Sequence, residues 1–553
     1  MSKTIRKIAS FLLCLALLIQ SGALLATAAD TAAGPLPETT LSNSDKQTEW
    51  NAASSTYITL NGDTAAVEGT GASVDEGIVT ITEPGVYVVS GTLNDGQIIV
   101  TLSKEDKAQL VLNGVDITCK TSAPIYGTSC DKLIITLPEG TINTLTDGGD
   151  AFVYADPKEE EPNAALFCKD DLTINGTGFL RVKGGFHNGI GTKDDLVIAG
   201  ASLDVEALNH ALRGNDSILL SNATVKLTAG GDGMQTNNAE EADRGWIVMD
   251  GGTADITAAK DAMQADTALT INGGVLSIVT GGGTHMNGNI PASSTAADST
   301  SCKGLKSDGK LTIAAGSLSI DSYDDCINAV GPLAISGGAM TLSTADDAIR
   351  SDTELTISGG NIVISSAYEG LEAADITISG GDVQITSADD AINAAGAGEE
   401  ESAESDHYGV LISGGKLTIV TNGDGIDSDA NIEIAGGETS VLVSSTRGHK
   451  AMEVNGSIIM RGGSIVYGGS DTANSPAGVS SQSYAFVGVP VTAGQEVAIT
   501  KDGQVLVKAE PTLDCPYLAF STPEIKAGEV YEILLDGEAI GTVTAGQNEL
   551  PAK

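Results

Sequence analysis

The chain has 553 residues, 41% of them hydrophobic but only 4% aromatic, with 68 glycines and a formal charge of −44. So much negative charge argues against nucleic-acid binding, which needs a cationic face, and favours cation binding. The length suits several domains or one long repeat array, and the small aliphatic composition suits a thin core.

Residues 1–28 read as a secretory leader. Lys3, Arg6 and Lys7 precede an apolar run from Ile8 to Leu25, and Ala26-Thr27-Ala28 fits a small-residue cleavage site. The alternative is an uncleaved anchor; no other segment suits stable membrane insertion. The expected location is extracellular, either secreted or held at the cell surface. Export permits disulfides, and Cys302 and Cys326 lie on neighbouring repeats but at different offsets; Cys326, in a column of Ala and Gly, reads instead as a small buried filler.

Residues 29–48, rich in Thr, Ala, Pro and Ser, read as a flexible linker. Residues 49–118 hold strands without a clear period, such as Tyr57-Ile58-Thr59-Leu60 and Val86-Tyr87-Val88-Val89, and read as an N-terminal cap with the first turns.

A repeat dominates 119–483. Its anchor is an aliphatic residue preceded by a small one: Leu166, Ile190, Leu212, Met234, Met263, Leu305, Ile327, Ile349, Leu371, Ile392, Ile426 and Met452. Steps of roughly 22 residues mean a stacked array in which each repeat buries its apolar face against its neighbours. After each anchor come two alternating tetrads joined by Gly-Gly, as at Gly251-Gly252, Gly273-Gly274 and Gly359-Gly360, which fits a tight bend. Three short strands per turn describe a parallel β-helix. Longer steps mark polar loops at 156–162, 281–301 and 396–407. From 484 to 553 the period stops, and strand-like runs predict a C-terminal β cap or small β module.

Any residue type kept at one offset from the anchor becomes a column. Acids crowd the positions just before the small residue: Asp324-Asp325, Asp346-Asp347, Glu369 and Asp389-Asp390, with Asp352 three beyond its anchor. Stacked strands lie about 4.8 Å apart. Two carboxylates at that distance repel by roughly 1 kcal/mol in water and about 3–4 kcal/mol at an effective dielectric of about 20. A bridging calcium ion, with oxygen ligands at about 2.3–2.6 Å, removes the conflict. For isolated Asp232, Asp261 and Asp424, plain turn hydrogen bonds are the better reading, and Asn328 and Asn393 also suit ordinary turn contacts. Tyr323 and Tyr368 flank the acidic stripe and are candidate sugar contacts, together with Arg350.

The ordered trio Asp346-Asp347-Ala348-Ile349-Arg350-Ser351-Asp352, Tyr368-Glu369-Gly370-Leu371-Glu372 and Asp389-Asp390-Ala391-Ile392-Asn393-Ala394 resembles the successive turn motifs of a secreted bacterial carbohydrate-binding family. So do Gly85 to Gln97 and Ser521 to Tyr531. The resemblance implies a right-handed, single-stranded parallel β-helix akin to pectate lyases. It also implies calcium ligands among Asp346, Asp347, Asp352, Glu369, Glu372, Asp389, Asp390 and Asn393. Arg350 stands where that pattern has His. With Asp324 and Asp325 from the column argument, these residues form the expected metal site.

The fold expectation is therefore an all-β, right-handed single-stranded parallel β-helix, a solenoid with β caps at both ends. The functional expectation is an extracellular, monomeric, calcium-dependent binder of polysaccharide, either acidic plant cell-wall polymers or cellulose. The alternatives are a calcium-dependent pectate-type lyase, in which Arg350 and Lys306 are the candidate bases, and a structural or adhesive surface protein.

Overall fold

The computed structural model describes residues 40–284, 300–395, 408–444, 448–469 and 480–546. The leader 1–28, the stretch 29–39 and the loop 396–407 lie outside the described residues, as does most of the 281–301 loop. Among the described residues all regular structure is strand apart from two three-residue 3-10 turns, and no helix is long and apolar enough to cross a membrane.

All twelve anchors fall on one 16-stranded sheet, one per strand from Ala164–Cys168 to Met452–Val454. They pair in unbroken parallel register, Leu166 with Ile190, Ile190 with Leu212, and so on to Ile426 with Met452. Each anchor points into one continuous aliphatic core. The residue before it must be small because the next rung passes close by: a Cβ on Gly370 would lie 2.4 Å from the Ala391 carbonyl oxygen.

The two tetrads of each repeat build the second sheet, of 30 strands, and here the expectation of a single-stranded β-helix solenoid is overturned. That expectation needs every Gly-Gly corner to break the strand. Instead the strands Lys107–Thr118, Trp246–Ala258 and Ala268–Thr280 run through their corners, Gly251-Gly252 and Gly273-Gly274 included. Lys107–Thr118 pairs with both Lys132–Leu137 and Ile142–Thr146. From the first, pairing passes through Asp171–Gly176, Asp195–Ala199 and Ser217–Ser221 to Trp246–Ala258. From the second it passes through Phe179–Gly184, Ser202–Ala207 and Thr224–Ala229 to the same strand. The hydrogen bonding closes on itself, and the fold is an all-β closed barrel of ten parallel strands with extra sheets. A period sets rung register; it does not say whether a corner interrupts the hydrogen bonds.

Where the corner does break the strand, glycine is required. A Cβ on Gly359 would sit 2.4 Å from the Ser336 carbonyl oxygen, and Gly360 has φ +99°. At the C-terminal end Val497–Lys501, Gln504–Ala509, Val530–Leu535 and Glu538–Thr544 form a separate antiparallel sheet over its own core, which includes Ile499, Phe520, Tyr531 and Ile533.

Two stretches read as loose are anchored. Residues 40–48, from the expected linker, are tied to the sheet by Asp45: its buried carboxylate accepts from Lys132 Nζ at 2.9 Å and Thr173 Oγ1 at 2.6 Å. In 156–162, Glu161 is fully buried and pairs with Lys169 at 2.6 Å and with Lys193. Cys302 and Cys326 are both free thiols; Cys326 is fully buried and its sulfur accepts from the Ser322 hydroxyl at 3.2 Å.

Candidate functional site

Strand alternation buries each anchor and turns the following residue outward. That outward column reads Arg213, Gln235, Gln264, Lys306, Asn328, Arg350, Glu372, Asn393 and Asp427. A second column lies two residues before the anchor, where backbone bonds continue the ladder. The amides of Gly304, Cys326, Ala348, Gly370 and Ala391 donate to the carbonyls of Asp325, Asp347, Glu369, Asp390 and Asp424. Five acidic side chains are thereby stacked one strand spacing apart.

The stack holds two carboxylate clusters. In the first, oxygens of Asp324, Asp325 and Asp346 all lie within 4.8 Å of one another. Lys303, one rung before Asp325 in the same column, places Nζ 2.6 Å from Asp324 Oδ1 and 2.7 Å from Asp325 Oδ2. Asn328 Nδ2 donates to Asp325 Oδ2 at 2.8 Å, and the Asp347 amide donates to Oδ1 at 3.3 Å. Burial pushes the Asp325 carboxyl up, against the pull of Lys303. Burial also works against the Lys303 charge, but Asp325 and Asp324 outweigh it and hold the amine above its usual range.

The second cluster joins Asp347, Glu369 and Glu372, again within 4.8 Å. Arg350 reaches into it, with Nη1 3.2 Å from Asp347 Oδ2 and 2.5 Å from Glu372 Oε2, and Nε 3.6 Å from Asp352 Oδ1. Burial, then a hydrogen bond shared with Glu372, drives the Asp347 carboxyl well above the carboxylate range. Burial pushes Glu369 up to about 8; Asn393 Nδ2, donating at 3.0 Å, opposes the shift while Glu372 and Asp390 add to it. Burial likewise lifts Asp390 to about 7, although its Oδ1 accepts from the Asp424 amide at 2.6 Å. A cation held among Asp347, Glu369 and Asp390 would compete with the proton that burial favours on each.

Six of the ten expected ligands thus form two clusters. Asp352 is linked to the second through Arg350, and Asn393 through Glu369. Asp389 is engaged by the Tyr368 hydroxyl at 2.5 Å, and Asp390 lies one rung beyond Glu369. Tyr323 is exposed at the edge of the stripe. Lys306 and Arg350 share an offset with Asn328 between them, and Lys306 Nζ lies 3.6 Å from Asp261 Oδ2. Asp261 otherwise takes the Ser301 hydroxyl and the Lys303 amide, and Asp232 takes Gln235 and His210, so apart from Gln235 their partners lie on neighbouring rungs and not in the local turn. Lys303 is the residue that reading the column for acids alone misses; its offset was the signal.

The Asp347–Glu369–Glu372 oxygens are hard donors of the kind calcium takes, with Arg350 as the competing charge. In the first cluster Lys303 already supplies the counter-charge.

The sequence matches the family described as "Carbohydrate-binding domain-containing protein" over residues 75–348 and 343–504. The chain belongs to this carbohydrate-binding family. A family relative of that description from Acetivibrio thermocellus is 37% identical over 248 residues, which is 45% of this chain and 79% of the relative. A solved structure titled "Structure of the polysaccharide lyase-like protein from C. thermocellum, Gadolinium derivative" is 39% identical, covers 47% of this chain and 97% of its own, and has a TM-score of 0.42. Every expected metal ligand lies inside the residues matched to the carbohydrate-binding family.

Proposed function

We propose that this protein is an extracellular, monomeric binder of acidic polysaccharide whose docking face depends on calcium. The observation that carries the reading is the Asp347–Glu369–Glu372 cluster in a member of a carbohydrate-binding family. Carboxylates whose proton affinity is raised by burial, and further by neighbouring acids, are groups that gain from a divalent ion. Such an ion bridges protein carboxylates to those of a uronic acid polymer, which reconciles a −44 chain with an anionic ligand. Export rests on the leader pattern in residues 1–28.

The lyase reading gains no support from Arg350, one of its two candidate bases. A base must lose its proton, and burial alone would favour that in Arg350, but Glu372 and Asp347 outweigh it and hold the guanidinium more firmly charged than usual.

Co-sedimentation with polygalacturonate and with cellulose, with calcium and with chelator, tests the proposal, while ultraviolet absorbance follows unsaturated product. Retention that is lost on chelation, without product, is the expected result. Product formation identifies a lyase instead, and no retention under any condition leaves the adhesive reading.

A further inference from the structure

Cations on the 16-stranded sheet are matched by acids along the stripe: Lys303 by Asp324 and Asp325, Lys306 by Asp261, Arg350 by Asp347 and Glu372. Arg213 is different. It shares the outward offset of Lys306 and Arg350, three rungs before Lys306, or about 14 Å at the strand spacing. It is half-buried, and among the described residues it makes no ion pair and no side-chain hydrogen bond. Burial pulls its pKa down, and Asp266 is the opposing charge that acts on it. Its ladder neighbours are Gly191, which has no side chain, and Gln235, which is neutral.

His187 lies on the neighbouring rung, four residues before Gly191, the ladder partner of Arg213. Arg213 and His210 both act on His187, after burial, to lower its affinity for a proton, and His187 Nδ1 is buried with no partner. Phe186, next to His187 in the chain, stacks on Phe152 with ring centres 4.4 Å apart and planes 3° from parallel. Tyr154 meets both rings edge-on, and the Phe186 and His187 rings are 6.3 Å apart. Phe186 and Tyr154 are half-buried, so part of this aromatic surface faces solvent.

A partly desolvated guanidinium with no anion in hydrogen-bond contact leaves its planar fork open, and that fork matches a carboxylate through two parallel hydrogen bonds. An aromatic face nearby takes the apolar side of a sugar ring. We propose that Arg213, with His187 and the Phe152–Phe186–Tyr154 cluster, forms a metal-independent subsite for a uronic acid residue of the polysaccharide, separate from the carboxylate clusters. The inference rests on the polysaccharide-binding reading above and gives one end of the same face a direct, cationic contact.

The test uses the full chain in excess chelator, so that calcium contributes nothing, and titrates short oligogalacturonides by calorimetry. Wild type is expected to bind weakly and to lose affinity as salt rises. Arg213→Gln is expected to weaken that binding at least about tenfold, and Arg213→Lys to restore only part of it, because the ammonium lacks the fork. Melting curves confirm that both variants are folded; Arg213→Lys keeps the charge and carries the test if Arg213→Gln does not fold. Neutral cello-oligosaccharides should bind both variants as they bind wild type. Equal binding by wild type and both variants overturns the subsite. So does wild-type binding that vanishes in chelator but returns with calcium, a result that leaves the calcium-dependent reading standing. Failure of wild type to bind any polysaccharide with calcium overturns the underlying reading itself.

Discussion

Lys303 and Asp325 occupy the same offset on adjacent strands, and the Lys303 ammonium lies 2.7 Å from the buried Asp325 carboxylate. The chain thus ends its own run of stacked acids with a cation. At the other end Lys450 fills the same offset, and its amide donates to Asp424. Between them Asp325, Asp347, Glu369, Asp390 and Asp424 follow rung by rung.

Lys303→Met should be strongly destabilising. Removing one partner of a buried pair leaves the other charge uncompensated, at a cost of about 3–5 kcal/mol. Urea unfolding in chelator should show that loss. Millimolar calcium should recover much of it, because Asp324, Asp325 and Asp346 then form an all-oxygen site.

Without calcium, stability should fall as pH rises. Glu369 is lifted to about 8 from an ordinary 4.5, and Asp390 to about 7 from 3.8, in both cases chiefly by burial. The folded state therefore holds protons that the unfolded chain has lost between about pH 4 and pH 8, and its stability declines through that window. Calorimetry in chelator should give a Tm several degrees higher at pH 5 than at pH 8. With calcium, which favours the ionised form, that dependence should shrink or reverse.

Arg350→Gln should strengthen calcium binding about tenfold or more. The guanidinium sits between Asp347 and Glu372 and competes with an ion for both oxygens. Calcium titration calorimetry on the two proteins reads the change directly.

Glu369→Gln combined with Glu372→Gln should remove most of the rise in Tm that calcium gives wild type, because both belong to the Asp347–Glu369–Glu372 cluster. An unchanged calcium increment would reject the ligand assignment.

Gly359→Ala should destabilise the fold by about 1–3 kcal/mol, because the added methyl would meet the Ser336 carbonyl at 2.4 Å and the backbone must shift. Urea denaturation measures this without reference to any ligand.

Register was the most legible part of the sequence. One aliphatic anchor after one small residue sufficed to align Leu166 through Met452 on a single ladder, because rung spacing and side-chain alternation are local constraints. The closed barrel was hidden, since Gly251-Gly252 and Gly273-Gly274 look like Gly359-Gly360 in the sequence yet lie within continuous strands. The acid clusters were legible by offset. Their internal cations were less so: Lys303 sits at the acid offset as a substitution, and Arg213 stands out only once its lack of an ion pair or side-chain hydrogen bond is seen. Asp45 was hidden for another reason, because its partners Lys132 and Thr173 are distant in sequence and follow no period.

The most direct test of the central claim is diffraction from crystals grown or soaked in calcium. An ion bound to Asp347, Glu369 and Glu372 at about 2.3–2.6 Å, with Arg350 displaced, is the predicted result. Arg350 still paired with Asp347 and Glu372 at saturating calcium, with no ion among the carboxylates, would contradict it.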